Sequence, residues 1–289
     1  MSRRAALALL AFAPALLPAT GIAYEIKPKA PEAAFGGKVV PDIIGMSSMV
    51  EGSKAGAIIE AYLKELPGVK PEAKQEKFGG TNVTYVTSMK FVSPPDAKHA
   101  GESMTALFSS PASSNRAYFI SRSLGFSKDS QPSKAEMIER VTAKYGEPTV
   151  IGDGHIYYFY KGGKVVSVKQ KYKPVSAAVD ALNAPINPKA AVALNDANGR
   201  GSCVAMIKRV EASDRTLAKI AEEAKGANCD GIVSVDLAPG ITPDRVGKAD
   251  FTLVDLKQVA SAAKIDADAF ADEKNESLKK TPMGNSPKL

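Results

Sequence analysis

Residues 131–173, QPSKAEMIERVTAKYGEPTVIGDGHIYYFYKGGKVVSVKQKYK, constrain the fold more than any other stretch of the chain. Ser133 and Glu136 form the S-x-x-E pattern, in which each residue satisfies an N–H group left open at a helix start. Ala135, Ile138, Val141 and Tyr145 recur at helical spacing, so one stripe of this helix is expected to face a core. Gly146 suits the left-handed position just past a last turn, and Pro148 cannot continue a helix. Two alternating runs then flank Gly162-Gly163, a pair suited to a two-residue hairpin turn. With that turn, Lys161 pairs with Lys164, Phe159 with Val166, Tyr157 with Val168 and His155 with Gln170. Phe159 and Tyr157 are then expected in the core. Tyr158, Tyr160, Lys169, Lys171 and Lys173 fall on the opposite face, which is expected to be exposed.

The rest of the chain extends the same grammar. Residues 24–41 are rich in Pro, Ala and Gly and read as a loosely held arm. Residues 42–46 read as a short strand, and residues 51–66 as a helix with Ala55, Ile58, Ile59, Tyr62 and Leu66 inward. In residues 81–92, Val83, Tyr85, Met89 and Phe91 alternate with polar residues as in a half-buried strand. Residues 103–109 and 115–126 supply two more strands. The order helix–stop–strand occurs twice, beginning at Ser53 and at Ser133, which suggests two related helix–strand units. The class expected is α+β: an antiparallel sheet with helices packed on one face.

After Lys173 the texture changes. Residues 176–184 read as a short helix, 202–210 as a strand, 213–225 as a helix, and 229–237 and 251–256 as strands. A helix follows from about residue 257 to 270, and residues 273–289 are polar and expected to be disordered. The division expected is an α+β sheet domain at 42–175 and a small disulfide-tied subdomain at 176–272. Its tie is Cys203 to Cys229, the two cysteines of the chain, which most simply pair in an oxidising compartment. A metal site is disfavoured, because two thiolates alone hold zinc poorly and no histidine follows His155.

That compartment is suggested independently. Residues 1–23 combine a basic lead (Arg3, Arg4), an apolar run and the small-residue pattern Gly21-Ile22-Ala23, as a secretory signal does. Loss of Arg3 and Arg4 with it lowers the formal charge from +7 by two, to +5, a mild excess that does not call for nucleic acid. A soluble periplasmic or secreted protein with no transmembrane span after signal removal is the expected class.

Catalytic equipment is sparse. His99 and His155 are the histidines of the chain. His99 sits in a polar turn, and Asp153-Gly154-His155 brings a carboxylate near an imidazole without a local nucleophile. Gly79-Gly80 and Gly199-Arg200-Gly201 lack the strand–loop–helix frame of a phosphate loop. Asn195-Asp196-Ala197-Asn198-Gly199 lacks the distant glutamate of a calcium loop. No catalytic residues, metal or cofactor are therefore expected. The reading is a non-catalytic binding or envelope-maintenance protein, and the Tyr158/Tyr160/Lys169/Lys171/Lys173 face is its candidate contact with an envelope protein or an anionic envelope polymer. A periplasmic hydrolase and an inhibitor of a secreted enzyme are the alternatives.

Gly45-Met46-Ser47 before one helix and Gly146-Glu147-Pro148 after another, followed by an aromatic strand, resemble the outer-membrane assembly lipoproteins of the SmpA/OmlA type. The Lys144-Tyr145-Gly146-Glu147-Pro148 helix end, the later cysteine pair and Phe251-Thr252-Leu253-Val254-Asp255 also resemble secreted proteobacterial proteins that share a helix–KYGxP–hairpin unit. The resemblance implies a small inhibitor-like α+β fold that works through protein contact rather than catalysis.

Overall fold

A computed structural model describes residues 24–35, 40–66, 68–95, 101–167, 171–187, 203–212 and 215–280. The expectations for the signal segment, His99, Val168, Lys169, Gln170, the 195–201 loop and residues 281–289 lie outside the described residues.

The described strands form one antiparallel sheet. They are β1 (Glu72–Lys77), β2 (Thr84–Ser93), β3 (Glu102–Phe108), β4 (Ala117–Gly125), β5 (Val150–Gly152), β6 (His155–Lys161), β7 (Lys164–Val165), β8 (Gly231–Pro239) and β9 (Val246–Asp255). Their spatial order is β1-β2-β3-β4-β9-β8-β6-β5, with β7 beside β6. Helices α1 (Gly52–Leu63), α2 (Lys134–Tyr145) and α3 (Val175–Asn183) pack on one face, giving the α+β layer that the spacing requires. Ala55, Ile59 and Leu63 of α1 and Met137, Ile138 and Val141 of α2 join Met89, Ala106, Ile120, Leu253, Val233 and Tyr158 of the sheet in one core. The capping box at α2 is present in full: Ser133 Oγ accepts from Glu136 N at 3.1 Å, and Glu136 Oε2 accepts from Ser133 N at 2.7 Å. The bonds that Glu136 Oε2 accepts from Ser133 N and, at 3.0 Å, from Ser133 Oγ hold the Glu136 carboxyl below its ordinary range.

A second, smaller core lies on the other face. Here α4 (Cys203–Ala212), α5 (Leu217–Glu223) and the start of α6 (Leu256–Lys280) cover Phe119, Val254, Ile232 and Phe159. The Cys203–Cys229 disulfide, with Cα atoms 6.2 Å apart, ties α4 to the segment that enters β8. Of residues 202–210, expected as a strand, those from Cys203 onward are the helix α4 instead. Cys203, Met206 and Ile207 are buried and Ala205 is exposed, which is the i, i+3, i+4 spacing of a helix and not the alternation of a strand.

The division at residue 175 corresponds to no break in the sheet. β8 and β9, assigned from sequence to a C-terminal subdomain, lie between β4 and β6 and join the two outer parts. They are buried on both faces over much of their length, as suits inner strands. Residues 42–46 are a tight turn rather than a strand: Ile43 and Met46 exchange hydrogen bonds across Ile44 and Gly45, both at positive φ. β1 was hidden in the sequence because all six of its residues are exposed, as suits a charged edge strand.

The arm at residues 24–35 is held firmly, not loosely. Ala34 N donates to both Asp255 oxygens at 3.0 Å, Ser48 Oγ donates at 3.1 Å, and Gln258 N donates at 2.9 Å from the first turn of α6. Burial raises the Asp255 carboxyl above its ordinary value, although these donors pull it down. Phe35 then packs edge-on against Tyr160 at 4.8 Å, and a Cβ on Gly231 would stand 2.5 Å from the Phe35 ring.

α6 extends to Lys280, beyond the boundary expected near residue 270, because buried carboxylates along it bind successive loops. Asp266 accepts from Ser110 N at 2.9 Å and Ser110 Oγ at 2.7 Å, and Glu273 accepts from Gly80 N at 3.1 Å. A helix of 25 residues spans about 37 Å, enough to run along the strand ends from β9 to the β1–β2 turn. No helix among the described residues is long and apolar enough to cross a membrane.

Candidate functional site

The candidate face expected on β6 is not assembled. Tyr158 and Tyr160, expected to be exposed, are buried in the first core. Tyr158 lies 5.5 Å from Tyr145 of α2, and Tyr160 meets Phe35 of the arm. Burial pushes both phenols up, that of Tyr160 to about 12. Tyr157 and Phe159 are buried as expected, but in the second core. Both faces of β6 are therefore covered, and a strand covered on both faces is a continuous apolar run. Ile156-Tyr157-Tyr158-Phe159-Tyr160 is such a run, and this was the available signal. Lys171 and Lys173 are exposed, and Lys173 Nζ lies 2.8 Å from Glu147 Oε1; Lys169 is outside the described residues. Tyr158 and Tyr160 do not share an exposed surface with Lys171 and Lys173.

The hairpin turn itself is as expected at its tip. Gly162 and Gly163 have positive φ, Lys161 pairs with Lys164, Tyr160 pairs with Val165, and Val166 N donates to Phe159 O at 2.7 Å. Beyond that point the edge of β6 is taken by β5, which pairs Val150 with Tyr157 and Gly152 with His155. The turn joining them is Asp153-Gly154, with φ of 53° and 82°. Asp-Gly is among the strongest two-residue hairpin signals, and it accounts for Asp153 without any chemical role.

His155 consequently faces a different carboxylate. It stands opposite Asp236 on β8, with Nδ1 3.7 Å from Oδ2, and stacks on the Tyr157 ring at 5.2 Å. Proton transfer needs closer approach, about 2.6–3.2 Å. Among the described residues no hydroxyl is hydrogen-bonded to His155, both cysteines are in the disulfide, and no cluster of metal ligands forms.

The strand register does bring together a surface that sequence reading missed. Next to the apolar row Leu107–Phe119–Val254–Ile232, covered by α4 and α5, comes the row Thr105–Ser121–Thr252–Ser234 across β3, β4, β9 and β8. The row beyond it is Ser103–Ser123–Asp250–Asp236, ending at His155 on β6. Thr105, Ser121 and Thr252 of the first of these rows, with Ser103, Ser123, Asp250 and Asp236 of the second, floor an open cavity of about 400 Å3, and Arg122, Arg215 and Lys248 also line it. Arg215 comes from the connection before α5, where its carbonyl accepts from Tyr118 Oη at 3.0 Å and its guanidinium lies 4.8 Å from the Phe119 ring centre. Lys248 Nζ pairs with Asp250 Oδ2 at 2.8 Å. The floor is thus made of short hydroxyls, each able to donate and accept, between two cations and two carboxylates. Such a floor can bind a polar ligand by many directional hydrogen bonds. Each hydroxyl was visible in the sequence only as the polar partner in an alternating strand.

Comparison of the chain with family models, with curated proteins and with solved structures returns no match, so the site is read from its own geometry.

Proposed function

We propose that this chain is an exported, non-catalytic binding protein of the cell envelope, and that its ligand is a hydroxyl-rich, largely uncharged glycan seated on the polar part of the second sheet face. The observation that carries this reading is the Thr105–Ser121–Thr252 row with Ser103 and Ser123 beside it. Short hydroxyl side chains leave room above the sheet and offer the mixed donors and acceptors that sugar hydroxyls require. Arg215 and Lys248 are matched in number by Asp236 and Asp250, and the remaining charged lining residue, Arg122, is paired with Glu102, so little net charge is left to attract an anionic polymer. Export is supported by the pattern of residues 1–23 and by the disulfide, which persists in oxidising compartments. The resemblance to envelope assembly modules agrees with a role exercised by contact.

Calorimetric titration with a panel of neutral envelope oligosaccharides tests the proposal. Binding by the native chain, weakened at least tenfold by Ser121→Phe with an unchanged unfolding temperature, is the expected result. Binding that survives Ser121→Phe, or a panel without a ligand, overturns it. A hydrolase is the second reading, and the His155–Asp236 pair is what favours it. Release of sugar by the native chain but not by His155→Ala would replace the binding reading with that one.

A further inference from the structure

The first sheet face holds a second, unrelated feature. Across it runs the row Phe91–Met104–Arg122–Phe251–Val235–Ile156, in which one guanidinium stands among apolar neighbours. Arg122 is fixed from one side. Its Nε donates to Glu102 Oε1 at 2.7 Å and its Nη2 to Tyr62 Oη at 2.8 Å, while Tyr62 Oη donates to Glu102 Oε2 at 2.7 Å. The guanidinium also sits 5.3 Å from the centre of the Tyr62 ring. Nη1 takes no hydrogen bond within the described residues, and 18% of the side chain remains accessible. The guanidinium is therefore pre-oriented, with donors to spare.

Those donors border a crevice of about 210 Å3 between α2 and the sheet, walled by Ile44, Leu124, Phe126 and Phe251, with Arg140 and Lys144 from one side of α2. Ile44 is held there with φ of 49°, a conformation that a β-branched residue rarely adopts. The turn that imposes it is tied down: Asp42 Oδ1 accepts from Gly45 N at 2.7 Å, and Asp42 O accepts from Tyr145 Oη at 2.8 Å. Backbone strain of this kind concentrates where a surface is shaped for a ligand.

We infer that this crevice binds a small apolar monocarboxylate, its headgroup on Arg122 and Arg140 and its apolar part against Leu124, Phe126 and Phe251. Charge selects the headgroup. Glu102 balances Arg122 and Asp42 balances Lys144 at 3.0 Å, whereas Arg140 has no ion pair among the described residues. One positive charge is left, matched by one carboxylate. Volume selects the tail: 210 Å3 is below the roughly 300–1,000 Å3 of pockets for drug-sized ligands, so a short acyl chain or a single ring fits.

Titration of the full chain with octanoate, octanol and octylamine, followed by ligand-observed NMR, tests the inference. Octanoate is expected to bind at least tenfold more tightly than octanol, and octylamine not measurably. Arg140→Glu, an exposed change on α2, is expected to weaken octanoate at least tenfold and to leave octanol unchanged. Leu124→Trp, which fills the crevice, is expected to abolish binding of both. Equal binding of octanoate and octanol, no binding of octanoate, or octanoate affinity unaffected by Arg140→Glu overturns the inference. Arg122 and Phe251 border both the crevice and the hydroxyl-floored cavity, but Ser121 lies on the alternate face of β4 from Arg122, so Ser121→Phe is expected to leave octanoate binding unchanged and the two proposals are tested separately.

Discussion

The two faces of the sheet are built from the same strands and behave as different materials. Along β4 and β9, Ile120 and Leu253 lie in the first core, whereas Ser121 and Thr252 on the alternate face lie in the cavity floor. The first face is apolar over most of its described residues and holds the Arg122–Glu102 ion pair, fixed by Tyr62. The second is apolar only where α4, α5 and the start of α6 cover it, and then changes within a single residue pair to hydroxyls and charges. Which face a residue occupies follows from alternation. Whether that face is wet follows from what covers it.

Truncation should separate the faces most sharply. Tyr158→Ala on the covered face leaves a cavity beneath α2 and is expected to destabilise by about 4 kcal/mol in denaturant unfolding. Loss of the disulfide in the Cys203→Ala/Cys229→Ala pair should cost roughly 3–4 kcal/mol, since the cysteines are 26 residues apart. Amide exchange in that variant should rise in α4 and α5 well before it rises in α1 and α2, if the helical cover of the second face is the part it secures.

Removing one partner of the ion pair is expected to cost less than the aromatic truncation. Glu102→Ala strands the largely buried Arg122 and should destabilise by about 3 kcal/mol, most of it recovered in the Glu102→Met/Arg122→Met pair. If the double variant is no more stable than the single one, the pair is not a charge embedded in an apolar face. Tyr62 gives a pH readout of the same cluster. Burial, followed by its hydrogen bond to Glu102, pushes its phenol from 10.0 to about 12. A raised value means that this stabilising contribution is present below pH 10 and is lost as the pH climbs towards 12. Absorbance titration of Tyr62→Phe should lose one late-titrating phenol, and Glu102→Gln should bring that phenol down. The smallest effect belongs to the polar face: Ser121→Ala should change stability by less than about 0.5 kcal/mol, and a larger loss would mean that the hydroxyl row is structural.

Much of the fold was legible in the sequence because it is local. The Ser133–Glu136 box, the stop at Gly146 and the Gly162-Gly163 turn are decided within a few residues by backbone geometry and short-range hydrogen bonds, and all are present. The errors came where an apolar run serves two periods, or where a polar strand carries no pattern. Residues 203–210 are a helix because Cys203, Met206 and Ile207 must reach one core together. β1 has no buried residue from which a pattern could be read.

The sequence by itself determined the local elements, the α+β class and the single pair of cysteines available for a disulfide, since each depends on stereochemistry or on counting. Only the tertiary structure decided that β8 and β9 enter the middle of the sheet, that both faces of β6 are buried, and that hydroxyls from β3, β4 and β9 form one floor. Pairing β4 with β9 joins Phe119 to Val254, far apart along the chain, and no local signal can specify such a partner. That choice is made by competition for burial among all strands at once, and with it the chain gains one face for its core and part of another for a ligand.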